Sequence, residues 1–164
     1  AYNDYSIRPK QTTEKHSQTN PIASSSATFM VDHVVDGDTF AVIVNGKKET
    51  IRLIGIDTPE VVDPRKPVQC FGKEASNKAK ELLTGKIVTL TNDPTQGERD
   101  KYKRLLRYAI LEDGTNFNEY MIKEGYAHEY TYQSNPYKFQ TDFKIAEIYA
   151  RENKKGLWAD GVCD

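Results

Sequence analysis

Residues that could do chemistry are concentrated between positions 36 and 60. Asp38 precedes one strand-like run, Arg52 lies within the next, and Asp57 and Glu60 come shortly after it. Carboxylates can hold a divalent cation such as calcium, and a guanidinium can donate to two phosphate oxygens at once. This combination favours a site for a hard metal ion and a phosphate group over a plain structural hairpin. Aspartate also favours turns, and that alternative is preferred for Asp36, which precedes Gly37.

A hairpin is predicted to bring these residues together. Its strands cover residues 39–44 and 50–56, and Asn45-Gly46 lies between them. Asn-Gly is the strongest short hairpin signal because both positions accept a positive φ. Asp38 then lies near the end of the return strand, which Asp57 follows directly, so the two carboxylates can meet in space.

The remaining elements are predicted from apolar periodicity and glycine stops. Apolar residues at helical spacing predict helices over 72–84, 116–124 and 141–153. Alternation predicts strands over 29–35, 86–91 and 105–111, and an extended segment over 126–132. Short strands in the order β-β-β-α-β-β-α-α predict a small closed barrel with helices attached.

Composition limits the function classes. The chain has 164 residues and a formal net charge of -1, so global positive charge cannot carry nucleic-acid binding and any positive potential must be local. Residues 1–27 are polar and without periodicity, which predicts a disordered tail or linker before a domain at 28–164. We expect no membrane-spanning segment, because no apolar run is long enough.

Cys70 and Cys163 are the two cysteines of the chain. They are either unrelated thiols or a single disulfide that ties the last residues to the start of a helix. The reach of the chain beyond Trp158 allows the bridge without requiring it. An oxidising compartment would favour the disulfide, and a cytosolic one would not.

The chain resembles the staphylococcal nuclease (thermonuclease) family over roughly residues 28 to 160. The motifs that carry the resemblance occur in the family's order, and their combination is far more specific than any one of them. They are Val35-Asp36-Gly37-Asp38-Thr39, Arg52-Leu53-Ile54-Gly55-Ile56-Asp57-Thr58-Pro59-Glu60, Phe71-Gly72-Lys73-Glu74-Ala75-Ser76, Asp100-Lys101-Tyr102-Lys103-Arg104, Tyr130-Thr131-Tyr132 and Gly156-Leu157-Trp158.

The resemblance implies an α+β fold: an OB-type five-stranded β-barrel with three helices. It also implies a calcium site. Asp38 and Asp57 match the calcium-ligating carboxylates of the family, and Thr58 matches a ligand that acts through its backbone carbonyl. Glu60 matches the acid that contacts the water shell of the metal and the attacking water.

The same resemblance implies a substrate cleft. Arg52 and Arg104 match the two arginines that clamp the scissile phosphate. The remaining matches are Lys101, near a terminal phosphate of the nucleotide, and the nucleotide-contacting tyrosines Tyr102, Tyr130 and Tyr132. Lys103 departs from the pattern, because the family often has glycine at this position. The lysine could alter the conformation of the turn that presents Arg104, or add a contact to phosphate.

The resemblance therefore implies a calcium-dependent, sugar-nonspecific phosphodiesterase that hydrolyses DNA and RNA to 3′-phosphorylated products. We expect a monomer that is secreted or associated with the cell surface. The alternative is a non-catalytic OB-type nucleic-acid-binding module. One feature favours the enzyme over the binding module: the complete set of Asp38, Arg52, Asp57, Glu60 and Arg104. A protein that only binds nucleic acid does not need the metal-binding carboxylates.

Overall fold

Seven strands and three α-helices make up the fold in a computed structural model that describes residues 26–163. The strands are β1 (Ser26–Asp36), β2 (Thr39–Val44), β3 (Lys47–Leu53), β4 (Ile56–Asp57), β5 (Ile87–Thr91), β6 (Leu105–Ile110) and β7 (His128–Glu129). The helices are α1 (Gly72–Leu83), α2 (Phe117–Lys123) and α3 (Gln140–Glu152).

Five of the strands close into a barrel in the order β1-β2-β3-β6-β5. Neighbours pair antiparallel except β3 and β6, which pair parallel. The prediction of an α+β fold with a five-stranded barrel and three helices is confirmed. The predicted tail, residues 1–27, lies outside the described residues except for its last two positions. Those two positions, 26 and 27, already belong to β1. Within residues 26–163, no helix is long and apolar enough to cross a membrane.

The hairpin of β2 and β3 forms around Asn45 and Gly46, whose φ angles of 49° and 75° are both positive. The return strand differs from the prediction, since β3 ends at Leu53 and does not continue to residue 56. Gly55 interrupts it with a φ of 80°, and a Cβ there would lie 2.6 Å from the Tyr137 ring. After this break the chain leaves the barrel, so β4 pairs with β7 in a separate two-stranded sheet.

The core fills the barrel and the space between it and the helices. Its largest fully buried side chains include Tyr108, Phe40, Phe117 and Phe143. Asn118 on α2 is also fully buried, and its side chain donates to the Ile54 carbonyl at 2.9 Å and accepts from Ala109 N–H at 3.0 Å. Both ends of this amide are satisfied, so it fixes α2 against the segment where the return strand breaks.

Asp93 is a second buried polar anchor, with 3% of its surface exposed. One oxygen accepts from Tyr108 O–H at 2.7 Å and Lys138 N–H at 2.8 Å. The other accepts from the N–H and O–H of Thr95 at 2.9 and 2.7 Å. Burial by itself would raise the pKa of Asp93, but these hydrogen bonds hold it below its usual range.

Asp93→Asn is expected to lower the free energy of unfolding by about 1.5–3 kcal/mol near neutral pH, because four donors lose a charged acceptor. The contribution is present above the unfolded pKa of about 4 and is lost as pH falls through the lower folded pKa. Urea unfolding at pH 7 and pH 3 measures it. The exposed turn residue Asp113 gives the control: Asp113→Asn should change stability little, and an equal loss in both variants would contradict the role of the anchor.

Candidate active site

Four carboxylates form an acidic cluster around Arg52: Asp36, Asp38, Asp57 and Glu60. Arg52 lies near the end of β3, just before the break at Gly55. Its Nη1 donates to the carbonyl oxygens of Leu53 and Ile56, each at 2.8 Å. Its Nη2 lies 3.3 Å from Asp57 Oδ1 and 3.4 Å from Asp38 Oδ2. Arg52 thus joins the two predicted carboxylates and also caps the backbone on both sides of the break.

Asp38 is buried beside this guanidinium. Its Oδ2 accepts from Thr58 N–H at 2.9 Å, and its Oδ1 accepts from Thr39 O–H at 2.8 Å. Burial opposes ionisation, but the charge of Arg52 and these hydrogen bonds keep the pKa of Asp38 below its usual range. Asp38 is therefore a fixed carboxylate at neutral pH.

Negative charge exceeds positive charge around Arg52. Burial and the neighbouring Asp38 raise the pKa of Asp36 to about 7. Loss of hydration and the charge of Asp38 also raise the pKa of Asp57, although its side chain is partly exposed. Asp36 does accept from Asp38 N–H at 3.3 Å, as its turn assignment implies. Its burial next to two further carboxylates carries no signal in the sequence.

The oxygen atoms of this cluster fit a hard cation. The Thr58 hydroxyl oxygen is buried beside Asp38 without a hydrogen-bond partner. Within residues 26–163, no group of three or more His, Cys, Asp or Glu side chains could hold a metal ion by itself. Two carboxylates and a backbone carbonyl could thus hold a cation that keeps part of its water shell, as calcium and magnesium do in proteins.

Glu60 begins the loop after β4. Its Oε1 accepts from the N–H groups of Val61, Val62 and Asp63 at 3.0, 2.8 and 3.1 Å. Its charge contributes to the raised pKa values of Asp36 and Asp57, so it is electrostatically part of the acidic cluster. The three bonds orient the carboxylate through one oxygen.

Arg104 is presented by a turn built on Asp100. Asp100 Oδ1 accepts from Tyr102 N–H at 2.9 Å and Arg104 N–H at 3.0 Å, and Oδ2 accepts from Arg104 Nε at 2.7 Å. Lys103 has a φ of 65°, a left-handed conformation that glycine adopts without strain. The same turn therefore forms with lysine at the position where the family often has glycine.

A cleft of about 590 Å³ connects the two arginines. The predicted site residues that line it are Arg52, Asp57, Lys101, Tyr102, Arg104, Tyr130 and Tyr132. Asp38, Thr58 and Glu60 do not line it. Sequence reasoning missed further lining residues from two connecting segments, because no periodicity or motif marks them: Gln96, Gly97, Arg99, Gln133, Asn135 and Tyr137.

The tyrosines lie on the surface of the cleft. Tyr102 is 67% exposed, and the Lys101 ammonium and Arg104 guanidinium lie 5.0 and 5.3 Å from its ring centre. Tyr130 and Tyr132 are about half exposed, with ring centres 6.4 Å apart, so neither ring is packed in the barrel core. The predicted extended segment over 126–132 is confirmed only in part: β7 covers His128–Glu129, Thr131 is extended, and Tyr132 begins a 3₁₀ turn.

A second groove of about 470 Å³ opens on Asp57 and is lined by Thr58, Pro59, Gln69, Cys70, His128, Leu157, Trp158 and Cys163. A disulfide joins Cys70 to Cys163 in its wall. Trp158 is half-buried there, with its ring edge-on to His128 at 5.1 Å and Arg151 4.3 Å above it.

A closed barrel whose cleft holds two arginines and exposed tyrosines, with an acidic cluster at its edge, has the parts of a nuclease domain. Residues 50–160 match the family described as staphylococcal nuclease homologue. The chain is 42% identical to a thermonuclease of Staphylococcus hyicus, over 84% of this chain and 79% of the relative. It is 40% identical to a thermonuclease of Staphylococcus intermedius, over 80% and 76% of the two chains. It is 35% identical to endonuclease YncB of Bacillus subtilis, over 96% and 72%.

The chain belongs to the staphylococcal nuclease family, as the sequence motifs indicated. It is accordingly a nuclease, and its substrates are nucleic acids.

Lys103→Gly is expected to raise the free energy of unfolding by up to about 1 kcal/mol. Removing the Cβ relieves about 1–2 kcal/mol of left-handed strain, and the greater freedom of glycine in the unfolded chain offsets part of that gain. Lys103→Val should destabilise, because a β-branched residue tolerates this φ least. Chemical denaturation of both variants measures the difference, and a stability order with valine above glycine would contradict the strain.

Proposed function

We propose that this nuclease is a calcium-dependent, sugar-nonspecific phosphodiesterase that hydrolyses DNA and RNA to 3′-phosphorylated products. The observation that carries the proposal is the contact of Arg52 with Asp38 and Asp57 within 3.4 Å at the edge of a cleft that also holds Arg104. A non-catalytic binding module would gain nothing from acidic side chains beside the phosphate position, because they repel it.

Each residue of the site then has a distinct task. Asp38, Asp57 and the Thr58 carbonyl would hold the ion, which supplies charge neutralisation at a phosphate oxygen when bound. Arg52 and Arg104 donate to the non-bridging oxygens, whose negative charge grows in the transition state. Glu60 Oε1 is engaged by its own loop, so Oε2 is the oxygen that accepts the proton of the attacking water.

The bond changes follow from the products. The water oxygen bonds to phosphorus, the bond from phosphorus to the 5′ oxygen breaks, and the leaving 5′ oxygen takes a proton. Tyr102, Tyr130 and Tyr132 offer ring faces to bases and Lys101 offers a charge to phosphate, which supports binding without a sequence code. We further propose that the enzyme is monomeric and secreted or associated with the cell surface, since disulfides persist in oxidising compartments.

Calcium is expected to support digestion of plasmid DNA and RNA, magnesium to support less, and a chelator to abolish it while the far-ultraviolet dichroism is unchanged. Calcium should also raise the melting temperature without substrate, because a ligand that binds only the folded state stabilises it. Asp57→Asn should lose both effects, and Asp113→Asn, outside the cluster, should keep them. Full activity in chelator would refute the metal site.

Arg104→Ala is expected to lower kcat at least a hundredfold with little change in melting temperature, because its partner Asp100 keeps its backbone hydrogen bonds. Arg52→Ala should lower both, since it also removes donors to two carbonyls and leaves Asp38 uncompensated. Arg151→Ala, on α3 outside the cleft, is the control for losing one cation. Near-normal turnover in Arg104→Ala would refute the clamp.

A further inference from the structure

Two reciprocal hydrogen bonds close the loop that begins at Glu60 and ends at Gln69, here called the glutamate loop (residues 60–69). Gln69 Oε1 accepts from Glu60 N–H at 2.7 Å, and Gln69 N–H donates to the Glu60 carbonyl at 2.9 Å. Most of the loop is exposed, including Val62 and Val68, so little apolar burial holds it in place. Its position therefore depends on its two ends.

Gln69 is itself anchored on two sides. Its carbonyl accepts from Gly72 N–H at 3.0 Å, at the start of α1. The next residue, Cys70, is bonded to Cys163, 93 positions later in the chain. Gln69 thus connects the backbone of Glu60 to the C-terminal segment through one side chain and one disulfide.

The C-terminal segment is a fixed anchor. Leu157 N–H donates to the Gly125 carbonyl at 2.8 Å, and the backbones meet so closely that a Cβ on Gly156 would lie 2.2 Å from that oxygen. The Trp158 ring packs against His128, whose strand pairs with Asp57. The disulfide therefore joins the glutamate loop to a part of the molecule that is already packed beside the acidic cluster.

We propose that Gln69 is a positioning residue for Glu60, and that the Cys70–Cys163 disulfide holds it there, so that turnover depends on the oxidised state of the bond. This inference rests on the proposed role of Glu60 as the proton acceptor. A displaced Glu60 backbone moves the carboxylate relative to the attacking water, and catalytic geometry tolerates little displacement. Cys70 is exposed, so the bond is open to reduction. The nuclease is then weak in a reducing compartment and fully active in an oxidising one.

The test compares kcat, KM and melting temperature in calcium at a temperature where each variant is folded, as reported by dichroism and by the fluorescence of Trp158, the only tryptophan. Gln69→Met keeps the length of the side chain but removes the acceptor, and it should lower kcat about tenfold or more with KM little changed. Gln69→Glu keeps an acceptor and should restore most of that loss. C70S/C163S, and the wild type with its disulfide reduced, should fall in kcat as Gln69→Met does.

The Glu60→Ala background shows whether the effect passes through Glu60. In that background Gln69→Met and C70S/C163S should add no further loss of kcat, because residues that act through one group are not additive. An unchanged kcat in folded Gln69→Met, or in folded C70S/C163S, would overturn the proposal, as would full additivity. Unimpaired turnover in Glu60→Ala alone would instead refute the assigned role of Glu60, so the two failures are distinguishable.

Discussion

The contacts of Arg52 are the constraint on which the site depends. Its guanidinium, with 13% of the side chain exposed, donates to two carbonyls at the break after β3 and faces two carboxylates. A buried aspartate such as Asp38 is stable as a charged group only with such a partner. These contacts thus satisfy the carbonyl groups on both sides of the break and keep Asp38 ionised. They also hold the guanidinium at the wall of the cleft. A lysine could not replace it, because an ammonium lacks the planar fork that reaches two carbonyls and two carboxylates at once.

One guanidinium does not balance the cluster, since Asp36 and Asp57 each lie within electrostatic range of Asp38 and of Glu60. Burial is the main cause of the raised pKa values of Asp36 and Asp57, and the charge of Asp38 adds to it. A carboxylate held by hydrogen-bond donors for stability has a lowered pKa, as the donors around Asp93 show. Asp36 and Asp57 instead face other carboxylates, and a bound cation would reduce the repulsion between them. This difference between Asp93 and the acidic cluster supports the proposed metal site.

Local signals in the sequence were sufficient for a small closed barrel with helices attached, whereas the roles of the site residues were predicted from the family motifs. Asn45-Gly46 determines the hairpin because two positive φ angles are needed there, and apolar periodicity places the three helices within a few residues. The break at Gly55 was missed, because it depends on the Tyr137 ring filling the space of a Cβ, a contact 82 residues away in the chain. The burial of Asp36, the turn at Tyr132 and the lining residues Gln96 and Asn135 likewise arise from tertiary packing, which leaves no periodicity in the sequence.

The two arginines show why the site forms only with the complete barrel. Arg52 and the turn before β6 come together through the parallel pairing of β3 with β6, in which Arg52 faces Leu106, two residues after Arg104. Parallel strands require a long connection, and here it contains β4, α1 and β5. β5 pairs with β1 on one side and with β6 on the other, which closes the barrel. The hairpin of β2 and β3 alone therefore cannot bring Arg52 and Arg104 to the same phosphate. The cleft is a consequence of barrel closure, because the pairing of β3 with β6 is what brings the segments of the two arginines together.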